Sequence, residues 1–336
     1  MPRVSSLLAV LTSAEMREFL PEPLISQLRA LAPEFRLVDS SKLDQAALTR
    51  ELASANPDIL LGCWGTPPLL DALPPRLRYV CYLTGSVKRL ITRAHLERGL
   101  QVTNWGGSIA RTVAEAALFH VLGCLRNAPH WAITMHQPGV TAWKNGLTDA
   151  RSLFCRSVGI HGFGPVAREL VRLLKPWSCP ITALAPDLTA ELANAYGVER
   201  AASLEALFAG NEIIVELAPL IPATTGIVTE RLLRLIRPGG VFVNVGRGAV
   251  VDEAALLRVA REGKISIGLD VFTTEPLPGS NGFRSLPRVG LTPHIAGPTI
   301  DRYPDAGAFA LKNLHAYIED RPLEAVITPE IYDQSS

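Results

Sequence analysis

An arginine, a glutamate and a histidine each follow a short apolar run in the second half of this sequence. They are Arg247, Glu275 and His294. A guanidinium binds a carboxylate through two parallel hydrogen bonds, a histidine exchanges protons near neutral pH, and a carboxylate beside an imidazole orients it and raises its proton affinity. If the apolar runs are neighbouring strands of a parallel sheet, the three residues lie along one edge of that sheet. The set would then suit proton transfer at a carbonyl or hydroxyl group of an anionic substrate.

Each of the three residues also has an ordinary interpretation. Arg247 could form a surface ion pair, Glu275 could be a solvated loop carboxylate, and His294 could be a satisfied histidine after a proline turn. Their joint occurrence after successive predicted strands favours the active-site interpretation.

A glycine-rich segment predicts a nucleotide-binding turn. It reads Gly162-Phe163-Gly164-Pro165-Val166-Ala167 and lies between a predicted strand and a predicted helix that runs to Leu174. Gly162 allows the turn, Gly164 allows the backbone to approach a pyrophosphate, and Ala167 allows the helix to pack closely on the strand. The helix amino terminus presents backbone N–H groups to the phosphates. Residues 162–166 are therefore predicted to bind a dinucleotide cofactor.

The choice between NAD and NADP depends on the end of the second strand of this unit. An acidic residue is expected near Ala185, where it would bind the ribose hydroxyls, but alanine cannot do so. Asp187, after Pro186, is the candidate substitute, and residues 181–192 contain no lysine or arginine for a 2′-phosphate. NAD is therefore predicted and NADP stays open. The ordinary alternative is that Asp187 caps a helix that begins near Leu188.

Short apolar runs alternate with stretches of helical period, which is typical of helices around parallel sheets. The runs form an early and a later set of predicted strands. They are Ser6–Leu11, Phe35–Val38, Ile59–Cys63, Arg78–Tyr82 and Gln101–Thr103, and then Ser157–His161, Ile181–Leu184, Glu212–Glu216, Val241–Asn244, Ser266–Asp270 and Val289–Leu291. A buried helix is predicted over Ala110–Arg126 between the sets, and an amphipathic helix over Asp301–Glu319. The prediction is a discontinuous domain of residues 1–104 plus 298–336, interrupted by a second domain of residues 105–297.

Composition excludes several classes of protein. The chain has 33 basic and 32 acidic residues and a formal charge of +1, which does not suit nucleic acid or anionic lipid. Its five cysteines are scattered and never form a C-x-x-C pair, so neither a disulfide framework nor a metal site is predicted, and a reducing cytoplasm is expected. No apolar stretch approaches the roughly 20 residues of a membrane span.

With these residues the chain resembles the D-isomer-specific 2-hydroxyacid dehydrogenase family. The similarity extends over nearly the whole chain and is densest from Asn104 to Gly297. The segments that carry it are Val113-Ala114-Glu115, the glycine turn, Ala218-Pro219-Leu220-Ile221-Pro222-Ala223-Thr224-Thr225-Gly226, Asn244–Asp252, Gly268–Pro276 and Leu291–Gly297. The resemblance implies two Rossmann-like α/β lobes, in which a doubly wound NAD-binding domain is inserted into a flavodoxin-like substrate domain. It also implies a homodimer.

The resemblance assigns roles to the site residues. Arg247 would bind the substrate carboxylate, His294 would transfer the proton, and Glu275 would orient the imidazole. Asp270 would accept a hydrogen bond from the nicotinamide carboxamide, with a structural carboxylate as the alternative. Further cofactor contacts are implied at Pro219, Thr224, Val245, Gly246, Ala296 and Gly297. The family often has histidine where this chain has Leu217 and threonine where it has Ile221, so this loop is expected to contact the cofactor differently.

The substrate-binding residues are expected in the first domain. In the family, a loop after a strand binds the substrate carboxylate through its main chain, and Gly85, Ser86 and Val87 occupy that position here. Lys88 replaces a family aspartate, and either attracts a second acidic group or points to solvent. Trp64 is a candidate for the pocket wall, as is Trp105, although a tryptophan is as often a core residue.

The predicted function is hydride transfer between a nicotinamide cofactor and a small D-2-hydroxy or 2-oxo acid. One rival is a non-catalytic NAD(H)-sensing protein of the same fold, which the presence of Arg247, Glu275 and His294 disfavours. The other is a dehydrogenase for another small acid, such as formate or phosphite, or for an amino acid.

Overall fold

The computed structural model describes residues 4–138 and 149–334. Within this part the chain divides into two compact units. Unit 1 comprises residues 1–109 and 298–336, and unit 2 comprises residues 110–297. The first boundary, after residue 109, lies five residues beyond the predicted one. The second boundary, after residue 297, is the predicted one. The roles assigned to the two units, substrate binding and dinucleotide binding, stay predictions.

Each unit contains one parallel β-sheet. The strands are β1 (Ser6–Leu11), β2 (Glu34–Asp39), β3 (Ile59–Gly62), β4 (Tyr79–Tyr82) and β5 (Gln101–Thr103) in unit 1, and β6 (Val158–His161), β7 (Ile181–Leu184), β8 (Glu199–Arg200), β9 (Ile213–Glu216), β10 (Val241–Asn244), β11 (Ser266–Leu269) and β12 (Val289–Leu291) in unit 2. Six of them, β1, β3, β4, β6, β9 and β10, are buried along their whole length, because helices cover both faces of a parallel sheet.

The helices follow the predicted alternation. They are α1 (Ser13–Phe19), α2 (Leu24–Ala30), α3 (Gln45–Ala55), α4 (Arg93–Glu97), α5 (Ala110–Leu125), α6 (Ala128–Thr134), α7 (Pro165–Leu174), α8 (Ala190–Tyr196), α9 (Leu204–Gly210), α10 (Glu230–Leu233), α11 (Glu253–Glu262), α12 (Tyr303–Ile318) and α13 (Pro329–Gln334). The long α5 belongs to unit 2 and packs on α7, β10 and β11, while α12 returns to unit 1 and packs on α1, α2 and β4.

The strand orders identify the two sheets. In unit 1 the order is β2-β1-β3-β4-β5, the flavodoxin-like arrangement. In unit 2 the order is β12-β11-β10-β9-β6-β7-β8, which is the doubly wound Rossmann order with one further strand. The predicted α/β fold with two Rossmann-like sheets is thereby confirmed.

Candidate active site

The residues predicted to do chemistry in unit 2 lie at the carboxyl ends of its strands. Strands β6 and β9 are hydrogen-bonded neighbours, although β7 and β8 come between them in the chain. The strand order therefore reverses between β6 and β9. In open α/β sheets, such a reversal opens a crevice at the carboxyl edge in which ligands bind.

The glycine turn after β6 fits a pyrophosphate. Gly162 has φ of +90°, and a Cβ there would lie 2.7 Å from the Ala218 nitrogen, so a side chain would clash with the neighbouring loop. A Cβ at Gly164 would meet no atom within 4 Å. Helix α7 begins after Gly164 without a side-chain cap, so its first N–H groups border open space.

The other predicted residues of this turn contribute in different ways. Phe163 is buried, with its ring 5.7 Å from that of Tyr196, so its backbone rather than its ring faces the turn. Pro165 occupies the first position of α7, where its missing N–H leaves no bond unmade. Val166 is partly exposed in the same first turn.

Asp187 does not cap a helix. Helix α8 begins at Ala190 rather than near Leu188, and the Thr189 hydroxyl caps it by accepting a hydrogen bond from the Leu192 N–H at 3.1 Å. The alternative interpretation of Asp187 was therefore wrong. Pro186 and Asp187 are both exposed after the end of β7.

The loop after β9 is held by Thr224. Its hydroxyl donates to the Pro219 carbonyl at 2.6 Å and accepts from the Ile221 N–H at 2.9 Å. These bonds close the 219–224 turn and engage the hydroxyl within the loop. The position of this side chain therefore fits a structural role as well as the predicted cofactor contact.

Asn244 shapes the loop after β10 that carries Arg247. Its side-chain amide donates to the Arg247 carbonyl at 3.0 Å, and its oxygen accepts from the Gly246 N–H at 3.0 Å. Val245 is buried, and Gly246 lies close to the loop after β9. Burial lowers the pKa of the Arg247 guanidinium, while the nearby charge of Glu275 acts in the opposite direction. A partly desolvated guanidinium of this kind binds an anion more strongly than a solvated one.

The loops after β10 and β11 touch through their backbones. A Cβ at Gly248 would overlap the Phe272 carbonyl carbon, so only glycine permits this approach. Glu275 then turns back, because its Oε1 accepts a hydrogen bond from the Phe272 N–H at 2.9 Å. Its Oε2 lies 2.6 Å from His294 Nδ1.

The second ring nitrogen of His294, Nε2, is not engaged by Glu275. The side chain is 46% exposed, and the residue has a φ of +55°, a left-handed conformation that is uncommon outside glycine. Because Nδ1 faces the carboxylate of Glu275, Nε2 is the atom that can exchange a proton with a substrate. The structure thus brings all three predicted catalytic residues to one edge of the unit 2 sheet.

Asp270 holds the backbone that carries His294. The carboxylate is buried, and it accepts hydrogen bonds from the N–H groups of Ile295 and Ala296, both at 2.9 Å, and from the Thr292 hydroxyl at 2.6 Å. The Asp270 carbonyl also accepts from the His294 N–H at 2.8 Å. These contacts agree with the alternative interpretation, in which Asp270 is a structural carboxylate. Of the predicted cofactor residues 296 and 297, Ala296 is buried by this arrangement.

A histidine that the sequence left unassigned extends this network. The Nε2 of His120 in α5 lies 2.9 Å from the Thr292 hydroxyl, which itself donates to Asp270, so His120 acts as the donor. Burial lowers the pKa of His120, which favours the neutral ring. A Cβ at Gly268 would lie 2.8 Å from that of His120, so the glycine makes room for the imidazole. No spacing in the sequence connects residues 120 and 292.

Replacing Asp270 with asparagine tests the importance of this carboxylate. An amide has one accepting oxygen, and its NH₂ group would face the N–H groups that the carboxylate now binds. We expect the free energy of unfolding to fall by about 1–3 kcal/mol and kcat to fall as the His294 loop loses its fixed position. Urea unfolding and steady-state kinetics measure the two effects. The exposed Asp71→Asn change is the control, expected within about 0.5 kcal/mol of the parent; equal stability of both variants would contradict the role of Asp270.

In unit 1, Trp64 belongs to a rigid loop after β3. The Gly65 N–H donates to the buried Glu15 carboxylate at 2.7 Å, and the Cys63 N–H donates to the Thr66 hydroxyl at 2.8 Å. Trp64 itself is 45% exposed. Its ring makes edge contacts with three other aromatic rings, those of Phe19, Trp105 and Tyr303. The loop thus presents an aromatic surface that its own hydrogen bonds keep in place.

The second predicted substrate loop of unit 1 follows β4. A Cβ at Gly85 would lie 2.9 Å from the Trp105 indole nitrogen, so glycine allows the two to pack. Ser86 is partly exposed, and Val87 is buried, so Val87 can offer a ligand only its backbone. Lys88 turns to the carboxy-terminal helix, where its Nζ lies 5.5 Å from the centre of the Tyr332 ring. This contact favours the interpretation in which Lys88 points to the solvent side and does not attract a second acidic group.

In residues 4–138 and 149–334, no group of three or more histidine, cysteine, aspartate or glutamate side chains is arranged to hold a metal ion. In the same part of the chain, no helix is both long and apolar enough to cross a bilayer. The five cysteines are all free thiols.

The fold is of the Rossmann type, and a hydrogen-bonded histidine–glutamate pair lies at the carboxyl edge of the second sheet. Residues 118–296 match the family described as D-isomer specific 2-hydroxyacid dehydrogenase, NAD binding domain. This match spans more than half of the chain, and the chain belongs to that family. The predicted family is thereby confirmed.

Individual relatives agree with this assignment. The chain is 28% identical over 259 residues to 4-methyl-2-oxopentanoate reductase A of Aspergillus oryzae, covering 75% of each chain. It is 29% identical over 265 residues to hydroxyphenylpyruvate reductase of Plectranthus scutellarioides, covering 78% of this chain and 81% of the relative. The apo structure of Rhodotorula graminis D-mandelate dehydrogenase shares the fold, with a TM-score of 0.83 and 20% identity over 96% of this chain and 98% of that one. The chain spans only 44% of the mycobacterial D-3-phosphoglycerate dehydrogenase that it also matches.

Proposed function

We propose that this protein interconverts a small 2-oxo acid and the corresponding D-2-hydroxy acid with a nicotinamide dinucleotide. The observation that carries the proposal is the 2.6 Å contact between His294 and Glu275, beside the partly buried Arg247. A general acid, the carboxylate that orients it and a cation for an anionic substrate are thereby present at one sheet edge.

Each residue has a distinct role in the proposed reaction. Arg247 binds the substrate carboxylate and stabilises negative charge on the carbonyl oxygen. His294 donates a proton from Nε2 to that oxygen during reduction and removes it during oxidation. Glu275 fixes the ring orientation and stabilises the protonated imidazole. The nicotinamide ring, when bound, supplies or accepts the hydride.

We assign the dinucleotide to the glycine turn after β6, and NAD is the preferred form. The open space at Gly164 and the uncapped start of α7 suit the pyrophosphate. The exposed Asp187 is the candidate partner of the ribose hydroxyls, and its negative charge would repel a 2′-phosphate. Comparing the dissociation constants of NADH and NADPH tests this preference, and tighter binding of NADPH would reverse it.

We assign the substrate to Trp64 and to the backbone of Gly85, Ser86 and Val87 in unit 1. The exposed indole of Trp64 suits an apolar substituent on the 2-oxo acid. Two relatives are named for such substrates, one with a branched aliphatic and one with an aromatic side chain. A 2-oxo acid with an apolar side chain is therefore the proposed substrate class.

A panel of 2-oxo acids tests the proposed reaction. Glyoxylate, pyruvate, hydroxypyruvate, 4-methyl-2-oxopentanoate and phenylpyruvate are each incubated with NADH and with NADPH, and the loss of reduced-nicotinamide absorbance is followed. We expect the highest kcat/KM for the two acids with large apolar side chains, and a D-hydroxy acid as the product. If the protein binds NADH but turns over none of these acids, the result would instead support a cofactor-sensing protein.

Replacing Trp64 with alanine tests the side-chain preference. We expect KM for phenylpyruvate to rise about tenfold, because an aromatic pair is worth about 0.5–1.5 kcal/mol, while KM for glyoxylate, which lacks a side chain, stays within about twofold. Leu70→Ala, an exposed apolar residue of the same unit, is the matched control. Equal changes for both substrates in the Trp64 variant would remove this residue from the substrate site.

We infer a homodimer from the apolar surface of unit 2. Phe119 is 63% exposed on α5, and Ile133 and Met135 are more than half exposed at α6. Large exposed apolar side chains on the consecutive helices α5 and α6 favour association of two copies. Light scattering after size exclusion measures the mass, and a monomer at micromolar concentration would contradict the inference.

The free thiols are in keeping with the reducing cytoplasm expected for the chain.

A further inference from the structure

A buried histidine and a buried glutamate face each other where the strand order reverses in unit 2. His161 is the last residue of β6 and Glu216 the last of β9, and the two are direct partners in the parallel register. His161 Nδ1 lies 2.7 Å from Glu216 Oε2. Glu216 is fully buried and His161 is 7% exposed. The proposed reaction uses neither side chain.

The pair is connected to both loops that border the crevice. Glu216 Oε1 accepts a hydrogen bond from the Ala218 N–H at 2.8 Å, which fixes the start of the loop that leads to Pro219. The Leu217 N–H donates to the His161 carbonyl at 2.8 Å. The Ala218 nitrogen is in turn the atom against which Gly162 packs. The pair therefore sets the distance between the glycine turn and the loop after β9.

Glu216 is the charged group that acts on His161. Its carboxylate raises the pKa of the His161 imidazole, against the opposing effect of burial. The other elements packed against β6 offer no comparable charge in the described chain, because β7 has no ionisable side chain and Glu205 of α9 is exposed and paired with Arg231. The pair is electrically neutral while His161 is protonated, and carries one negative charge once His161 has lost its proton.

We propose that His161 and Glu216 are positioning residues for the dinucleotide, and that the protonation state of His161 controls how tightly the pyrophosphate binds. The proposal rests on the assignment of the cofactor to the glycine turn. The neutral pair holds the two loops together without repelling the phosphates. When His161 loses its proton, the Glu216 carboxylate is left uncompensated beneath the pyrophosphate, which carries two negative charges. The repulsion between the two groups weakens binding of the dinucleotide.

The sign of the pH dependence follows from these charges. Below the raised pKa of His161 the pair is neutral and binding is tight, and above it the net negative charge weakens binding. We expect the dissociation constant of NADH to rise about tenfold between about pH 6 and about pH 9. By linkage, NADH binding near the midpoint takes up about half a proton, as a tenfold change in affinity requires. Calorimetry in buffers of different ionisation enthalpy measures that uptake directly.

Two variants identify the titrating residue, because a pH dependence of binding does not by itself say which group loses the proton. His161→Gln leaves the carboxylate uncompensated at every pH, so NADH should bind weakly throughout, near the high-pH level of the parent. Glu216→Gln removes the negative charge, so NADH should bind tightly throughout, near the low-pH level. Both variants should lose the proton uptake. His315→Gln, at an exposed position of α12, is the matched control and should keep the parental pH dependence.

NADH fluorescence titration of each folded variant, with its melting temperature recorded, decides the question. A purely structural pair would lower affinity in both variants alike, and that result would overturn the proposal. Retention of the parental pH dependence and proton uptake in either variant would also overturn it. Absence of NADH binding to the parent protein would contradict the proposed function itself, which separates the two failures.

Discussion

Replacing His294 with glutamine is expected to lower kcat by about 10²- to 10⁴-fold, the usual contribution of a positioned general acid. Glutamine keeps a polar side chain of similar reach, yet it cannot deliver a proton from the position of Nε2. The dissociation constant of NADH should change by less than about twofold, because the glycine turn and the loop after β9 are untouched. Steady-state turnover of the best 2-oxo acid and NADH fluorescence titration measure the two quantities.

The control for this change is another exposed histidine. His315→Gln introduces the same substitution in α12 of unit 1 and should leave kcat within about twofold of the parent. Comparable turnover in the His294 variant would remove this residue as the proton donor. A loss of NADH affinity as large as the loss of kcat would show instead that the loop after β12 had rearranged.

Replacing Arg247 with lysine is expected to lower kcat/KM by about 10²- to 10³-fold, the usual effect of losing a donor to a developing oxyanion. The charge is conserved, but an ammonium group cannot form two parallel hydrogen bonds with a carboxylate. The buried setting makes the loss larger, because water cannot replace the missing contact. Kinetics across a range of 2-oxo acid concentrations separates the rise in KM from the fall in kcat.

The control for the Arg247 change lies at the other end of β10. Arg237 is exposed before β10, at the edge of the sheet away from Arg247. Arg237→Lys should have the parental kcat/KM. Near-parental kcat/KM in the Arg247 variant would mean that a simple positive charge suffices, and the two-point recognition of the carboxylate would then be abandoned.

Most strands could be predicted because continuous apolar runs are the signature of buried parallel strands. Strands β1, β5, β7, β10 and β12 have the predicted bounds, β2 is one residue longer at each end, and β3, β4, β6, β9 and β11 differ by one residue at one end. The strand that was missed, β8, consists of Glu199 and Arg200, both exposed at the edge of the sheet. An edge strand of two charged residues has no apolar pattern by which to recognise it.

The start of α8 was misplaced for a similar reason. Asp187 and Thr189 are both good capping residues, and their types alone do not decide which one precedes the first turn. The turn between Ala185 and Leu188 delays the helix, and Thr189 then caps it. Helix boundaries depend on such local geometry, which the side-chain period does not encode.

The positions of the three proposed catalytic residues at strand ends were predictable, and the contacts that support them were not. Arg247, Glu275 and His294 belong to motifs that follow strands, so their order in the chain carries information. The contacts that support the proposed site join distant positions, such as His120 with Thr292 beside the His294 loop, or His161 with Glu216 beneath the glycine turn. Such contacts depend on strand register and helix packing, and the one-dimensional sequence contains no spacing that marks them.

The discontinuity of unit 1 has a consequence for synthesis on the ribosome. The five strands of its sheet are translated before residues 110–297, whereas α12, which packs on α1, α2 and β4, is translated after them. Unit 2 is contiguous, and its whole core is translated before α12. During that interval the nascent first sheet lacks one of its covering helices, and the apolar side chains that α12 later buries are open to chaperones.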